Sequence, residues 1–342
     1  MNRKSILPLL LIATSLALAD CNLPRLQIQQ ATQTPTPVAP TATDTAAPPL
    51  PTAELGLVEN PLILALPPSA NSQAEIDAAK VIASQFTERT GYVVVTIIPD
   101  SYTALVDAFE KGNTHIALLE PYAYELAYQK GLVKASYAVL KDGDGKYGAQ
   151  FIATRKAGFS PYFNPLNETN TINDPGITLA QFNDKKPCWS DETSPSGYVI
   201  PLGYLNASQV TTKSAAFVEG HPTVVRSLYA SGICDFGATY IDARKFPSLE
   251  DEFPDLMERV IVIWQIPEII PYEVLAFSTT MPQPMRDLFS TIIAAILQTD
   301  SGKNAFQTAY HVEELTLVND GYYEEFRSHL QFSGIELSTV VK

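Results

Sequence analysis

Basic residues are scarce in this chain, and so are histidine and cysteine. Lys and Arg number 23 against 37 Asp and Glu, a net charge of −14. That balance excludes a nucleic-acid partner, which needs a basic face to meet phosphates. It leaves room for a small anion, because backbone N–H groups and hydroxyls hold one without any net positive charge. The four histidines are scattered and the three cysteines form no zinc-type cluster. No P-loop, H-E-x-x-H or G-x-S-x-G run occurs. The chain therefore carries no catalytic motif, and neither a metal nor a cofactor is implied. A membrane-spanning run is missing as well: the apolar stretch at 6–19 is short and is followed closely by polar sequence.

That short stretch reads as an export signal over residues 1–20, with Arg3 and Lys4 as its positive start. Two processing sites compete. LADC at 18–21 resembles a bacterial lipobox, which would make Cys21 a lipidated N-terminus, although Asp20 departs from the usual small residue. ALA at 17–19 is a small-x-small site with cleavage before Asp20. The next stretch, ATQTPTPVAPTATDTAAPPLPTA, buries too little to fold, and its prolines keep it extended. A spacer over 21–56 suits a protein tethered to a membrane through Cys21. The remaining cysteines, Cys188 and Cys234, each begin an expected strand. In an exported chain they are expected to pair, if those strands lie side by side. Two buried thiols are the alternative.

With 342 residues, 46% of them hydrophobic, the chain has room for two domains. From residue 60 strands and helices alternate: PLILALP, a capped helix closed by Gly91, YVVVTIIP, a second helix closed by Gly112, HIALLE, then PYAYELAYQKG. This rhythm predicts βαβ units with mainly parallel sheets flanked by helices. KASYAVLKD and YGAQFIATR, split by DGDGK, carry a hairpin signal. The Gly-, Pro- and Asn-rich stretch at 156–177 reads as a crossing into a second alternating unit, with a return near 268–276. The expected division is 57–155 with 274–342 as domain 1 and 156–273 as domain 2. Three C-terminal helical segments, near 282–298, 301–310 and 322–331, without strands among them, would pack on the first sheet.

At 190–201 the sequence reads SDETSPSGYVIP, a strand followed by crowded hydroxyls and a helix start. Ser194 and Ser196 flank that start and, with its free N–H groups, form a donor nest for an oxyanion. An ordinary N-cap before proline is the plain alternative. The wider pattern resembles the phosphate/phosphite/phosphonate-binding proteins of ABC importers. SYTALVDAFEKGNTHIALLEPYAY, SDETSPSGYVIP, EGHPTVVRSLYASGICDFGATYIDA and VIWQIPEIIPYEVLAF stand in that family's order, over roughly 60–332.

The resemblance implies an α/β, periplasmic-binding-protein-like type II clamp with two hinge crossings. It implies a ligand site of Tyr102, Tyr124, Ser194, Ser196, His221, Tyr240, Asp242 and Glu273. Pro195 falls where the family often has Thr, and Glu120 where it has Gly. Each residue also has a plain role: Tyr102 and Tyr124 as half-buried helix-end tyrosines, His221 and Asp242 as caps. The implied protein is an exported monomer that is not an enzyme. It captures a small oxyanion, delivers it to an ABC permease, and is held at the membrane by Cys21. A sensor presenting its ligand to a membrane receptor, and a phosphoryl-processing enzyme on the same scaffold, are the other readings.

Overall fold

The computed structural model of the protein describes residues 54–342. The expected export signal, Cys21 and all but the last three residues of the expected spacer lie outside the described residues. The described residues form one compact unit around two five- or six-stranded sheets. Among them no helix is long and apolar enough to cross a membrane.

The chain starts with β1 (Leu62–Ala65), α1 (Gln73–Thr90), β2 (Val94–Ile97), α2 (Tyr102–Glu110), β3 (Ile116–Leu119), α3 (Pro121–Gln129) and β4 (Val133–Leu140). It enters the second sheet in β5 (Lys146–Thr154). A small ribbon of β6 (Phe163–Asn164) and β7 (Thr169–Asn170) and a turn of helix, α4 (Pro175–Thr178), follow. Next come β8 (Pro187–Trp189), α5 (Ile200–Ala207), β9 (Ala216–Phe217), α6 (His221–Ala230), β10 (Phe236–Tyr240), α7 (Pro247–Glu252), α8 (Leu256–Arg259) and β11 (Val260–Pro271). The chain returns in β12 (Val274–Ser278), then α9 (Gln283–Ile296), α10 (Asp300–Tyr310), β13 (Glu314–Leu317), α11 (Glu324–Ser333) and α12 (Leu337–Val340).

The first sheet has the order β13-β4-β12-β3-β1-β2 and the second β11-β5-β10-β8-β9. Apart from the edge strand β13, the orders correspond: three parallel strands, a strand that has crossed from the other sheet, and an antiparallel neighbour. Each sheet is therefore mixed, because β12 and β5 arrive antiparallel to the strands beside them. The expected parallel βαβ units are present as β1–β2–β3 and β8–β9–β10.

Four expectations differ from the structure. β4 and β5 are not hairpin partners: β4 is flanked by β12 and β13, so both its edges are occupied. The turn between β4 and β5 has the local form that DGDGK suggests, with Asp142 at φ 54° and Gly143 at φ 90°. It nevertheless leads out of the first sheet, so the first passage lies at 141–145 and not at 156–177. The second lies at 272–273, inside the expected window. The C-terminal segments also divide. α9 and α10 pack on α1, as expected, but α11 lies against α5, where His329 stacks on Tyr204 at 3.8 Å. Between them runs the unforeseen edge strand β13, whose short ELTL sequence pairs with β4.

The helix ends follow from their caps. Ser72 and Glu75 form a reciprocal capping box on α1, and Gly91 closes it at φ 77°. The largest buried cluster draws on both sheets, with Ala117, Leu119 and Tyr122 beside Phe151, Phe236 and Trp264. Trp264 is fully buried and its indole N–H donates to Ile172 O at 2.9 Å, so the ring leaves no unmet donor. Cys188 and Cys234 form a disulfide, their Cα atoms 5.6 Å apart. Its geometry follows from β8 and β10 being parallel neighbours, with Cys188 opposite Gly237.

Candidate functional site

β8 ends at Trp189, and the chain turns at once through 190–194 into a wide π-helical turn, Pro195–Val199, which feeds α5. Ser194 caps this turn: its hydroxyl accepts from Gly197 N at 3.0 Å. Pro195 occupies the first position, where an N–H has no helical partner to lose. Val199 N donates to Ser194 O at 3.0 Å, a five-residue step that widens the turn. Gly197 is required here by space. A Cβ would overlap the Ser190 hydroxyl and lie 2.9 Å from His221 Cε1. Ser190, Ser194 and Ser196 are all buried, and the Ser190 hydroxyl has no hydrogen-bond partner.

His221 opens α6 after Gly220, whose φ of 100° lets the chain turn into the helix. The His221 ring meets the turn. Its Nδ1 accepts from Tyr240 N at 3.4 Å, and Nε2 lies 3.4 Å from Ser194 Oγ. Burial pushes the imidazole below its ordinary pKa, against the pull of Asp191. The ring is then neutral with its proton on Nε2, directed at Ser194. Asp191 turns into its own loop, accepting from Thr193 N at 3.0 Å and Thr193 Oγ1 at 2.9 Å. Tyr240, at the end of β10, packs edge-on against His221 at 4.7 Å. A cavity of about 550 Å³ lies beside this loop, lined by Ser190, Asp191, Thr193, Tyr198, Phe217 and Lys342.

The first sheet presents a different face. Tyr102 opens α2, its backbone N–H donating to Lys342 O at 2.8 Å. Burial first, then Glu120 and Glu273, raise the phenol far above its usual range. Glu120 stands at the N-cap position of α3 without a capping hydrogen bond. Burial, then the charge of Glu273, push its carboxyl up to about 7. Glu273 sits in the second passage between the sheets and pairs with Lys141 at 3.3 Å. Lys141 also lies 4.5 Å from the centre of the Tyr272 ring. Tyr147, early in β5, stacks on Tyr272 at 5.1 Å, and its phenol interacts with the Ser196 hydroxyl.

Ser194, Ser196, His221 and Tyr240 thus converge from the second sheet, and Tyr102 and Glu273 stand together with Glu120 on the first. Two expected residues are engaged elsewhere. The Tyr124 hydroxyl donates to Asp320 at 2.8 Å, and its ring is fully buried against Tyr128 and Tyr323. Asp242 is held by Arg244 Nη2 at 2.6 Å and Nε at 2.9 Å and by Gln150 Nε2 at 2.8 Å. Burial raises its pKa, but these bonds outweigh burial and leave the carboxylate below its usual range. Arg244 is consequently structural and no anion clamp. Tyr122, Tyr147 and Ser190 are polar groups here that no sequence motif marks. Tyr122 lies two residues before Tyr124, and nothing in PYAY tells which ring turns inward.

Two mixed sheets of corresponding order, each lending one strand to the other, define the class: a periplasmic-binding-protein-like fold of type II. The chain belongs to the family of periplasmic substrate-binding proteins of phosphonate ABC transporters, whose model matches residues 64–323. It is 26% identical over 190 residues to the phosphate-import protein PhnD of Mycolicibacterium smegmatis, covering 52% of this chain and 54% of that protein. The chain thus spans about half the length of that relative. Among solved structures, XAC2383 from Xanthomonas citri bound to ATP superposes with a TM-score of 0.55 at 12% identity, covering 82% of this chain and 99% of that one. The same protein bound to chloride gives 0.53 at 13% identity, covering 82% and 98%. At such identities the likeness shows the fold alone.

Proposed function

We propose that this protein is an extracytoplasmic solute-binding protein that captures a phosphate-, phosphite- or phosphonate-type oxyanion between the two sheets and delivers it to an ABC permease. The observation that carries the reading is the Ser194–Ser196 turn facing the neutral His221. It gathers hydroxyls, a ring N–H and the N–H groups of a helix start without a Lys or Arg. An anion there is met by fixed dipoles on buried side chains, which act more strongly than in bulk water. Family membership and the match to a phosphate-import protein support the same ligand class. The two passages at 141–145 and 272–273 serve as the hinge, and the two sheets with their helices as the closing lobes. Tethering through a lipidated Cys21 would keep the monomeric protein beside its permease.

Calorimetric titration of the purified protein against inorganic phosphate, phosphite and methylphosphonate tests this. Saturable one-to-one binding of at least one, lost in a Ser194→Ala, Ser196→Ala double variant, is expected. Binding that survives the double variant unchanged would place the anion elsewhere. Small-angle scattering should show compaction on binding.

A further inference from the structure

We infer that Tyr122, and not Tyr124, is the tyrosine of α3 that reads the ligand, its hydroxyl being a donor which the first lobe delivers to the bound oxyanion. The inference rests on the oxyanion reading above and deepens it. Tyr122 is 3% exposed, and its hydroxyl is a buried polar group with no hydrogen-bond partner. Buried hydroxyls are ordinarily paired, and an unpaired one is costly unless a ligand completes it. Where that hydroxyl sits is the second observation. Its charged and polar neighbours are Tyr147 and Asp191 from the second lobe and Glu120 from the first. Tyr147 in turn interacts with Ser196 of the donor turn. The orphaned hydroxyl belongs to a ring in the buried cluster shared by both sheets, within reach of charges from each lobe.

Tyr124 is excluded by its geometry. Two residues apart on a helix means roughly 200° of rotation, so the two rings leave α3 on opposite sides. Tyr124 faces Tyr128, Tyr323 and the carboxylate of Asp320, which takes its proton in a hydrogen bond of 2.8 Å. Asp320 also accepts from Ala135 N at 2.9 Å and pairs with Lys134, so that bond is part of a structural knot between α3, β4 and the turn before α11. Tyr122 is held from below by Phe326, 6.2 Å away, which fixes the ring while leaving its hydroxyl unspent. The phenol sets the chemistry of its partner: it donates, so the partner is an acceptor oxygen. The phenol stays protonated, because burial and the nearby acids raise its pKa well above the usual range.

The test is titration of wild type, Tyr122→Phe and Tyr124→Phe with methylphosphonate and inorganic phosphate, beside thermal unfolding of each without ligand. Tyr122→Phe is expected to weaken binding about ten- to a hundredfold, as loss of a hydrogen bond to a charged group does. Its melting temperature without ligand should be unchanged or higher, since no folded-state bond is removed. Tyr124→Phe should lower the melting temperature and leave the affinity within about twofold of wild type. Wild-type affinity in Tyr122→Phe, with both proteins binding, would overturn the inference while leaving the oxyanion reading standing. So would a large affinity loss confined to Tyr124→Phe. Failure of the wild type to bind either anion would overturn the oxyanion reading, and with it the ligand assigned to Tyr122.

Discussion

The strand-to-helix exits of the two sheets are built alike and charged differently. On the second sheet the chain leaves β8 into a turn whose side chains are hydroxyls, with a neutral His221 beside them. On the first sheet it leaves β3 into Glu120, whose pKa is raised by burial first and then by the charge of Glu273. Both exits place a proline in the first turn of the helix that follows. The shared backbone plan therefore does not decide where an anion goes. The side chains do: one exit offers a group of hydroxyls, and the other offers Tyr122 beside an acid that is half neutral near pH 7. On the proposed reading the main donors to the oxyanion lie on the second sheet, and Glu120 makes the first sheet a proton-sensitive wall.

The largest way to break this asymmetry is to loosen the donor side from beneath. The disulfide anchors β8 two residues before Ser190 and closes a 46-residue separation. Replacing both cysteines by Ala should cost about 4 kcal/mol of stability in the chain-entropy model. Denaturant unfolding with and without reductant measures this. The fully reduced wild type should match the double variant, and the oxidised wild type should exceed both.

A smaller effect is expected from the donors themselves. Ser194→Ala removes a cap and, on the proposed reading, a ligand contact. It should lower stability by about 1 kcal/mol and weaken oxyanion binding by roughly ten- to a hundredfold. Thermal unfolding and calorimetry separate the two parts.

The acid side should show itself through pH. An ordinary Glu titrates near 4.3, whereas Glu120 in the fold titrates at about 7. Between these values the folded state holds a proton that the unfolded state has lost. Stability therefore falls as pH rises through that window, and the cost is complete above pH 7. Glu120→Gln should be more stable than wild type at pH 8, with the difference fading towards pH 4.5. Equal stability of the two at pH 8 would mean that Glu120 is not strained by its surroundings. The smallest effect belongs to Lys141, whose pair with Glu273 is half exposed. Lys141→Ala should change stability by less than about 1 kcal/mol. It should move the pH midpoint of Glu120 upwards, since Glu273 is left unbalanced, and salt should screen the change.

Much of this asymmetry is legible in the sequence, because its carriers are local. Serines before a Gly, a His before a Pro and a helix closed by Gly91 announce their roles within a few residues. The βαβ alternation does the same for most strands of both sheets. What was not legible depends on distant partners. DGDGK forms the tight turn it suggests, yet whether β4 and β5 pair is settled by β12 and β13, which lie over a hundred residues later and occupy both edges of β4. α11 follows the same rule: its seat on α5 comes from shape matching, with His329 on Tyr204, and no periodicity reports that. The site residues divide along the same line. Ser194, Ser196 and His221 meet because their loops are adjacent in the sheet. Tyr124 and Asp242 matched by position, but Asp320 and Arg244 claim them, and neither partner is marked in the motifs.

The central expectation is that most of the binding energy comes from the Ser194–Ser196 turn, with Tyr122 the first sheet's contribution, and that Glu120 opposes it. Titration of methylphosphonate at pH 8 into wild type, Ser194→Ala and Glu120→Gln tests it most directly. Ser194→Ala should bind at least about tenfold more weakly than wild type. Glu120→Gln should bind more tightly, by an amount on the order of tenfold, because a charged wall becomes neutral. Weaker binding in Glu120→Gln together with unchanged binding in Ser194→Ala would contradict the account and put the ligand's main contacts on the first sheet.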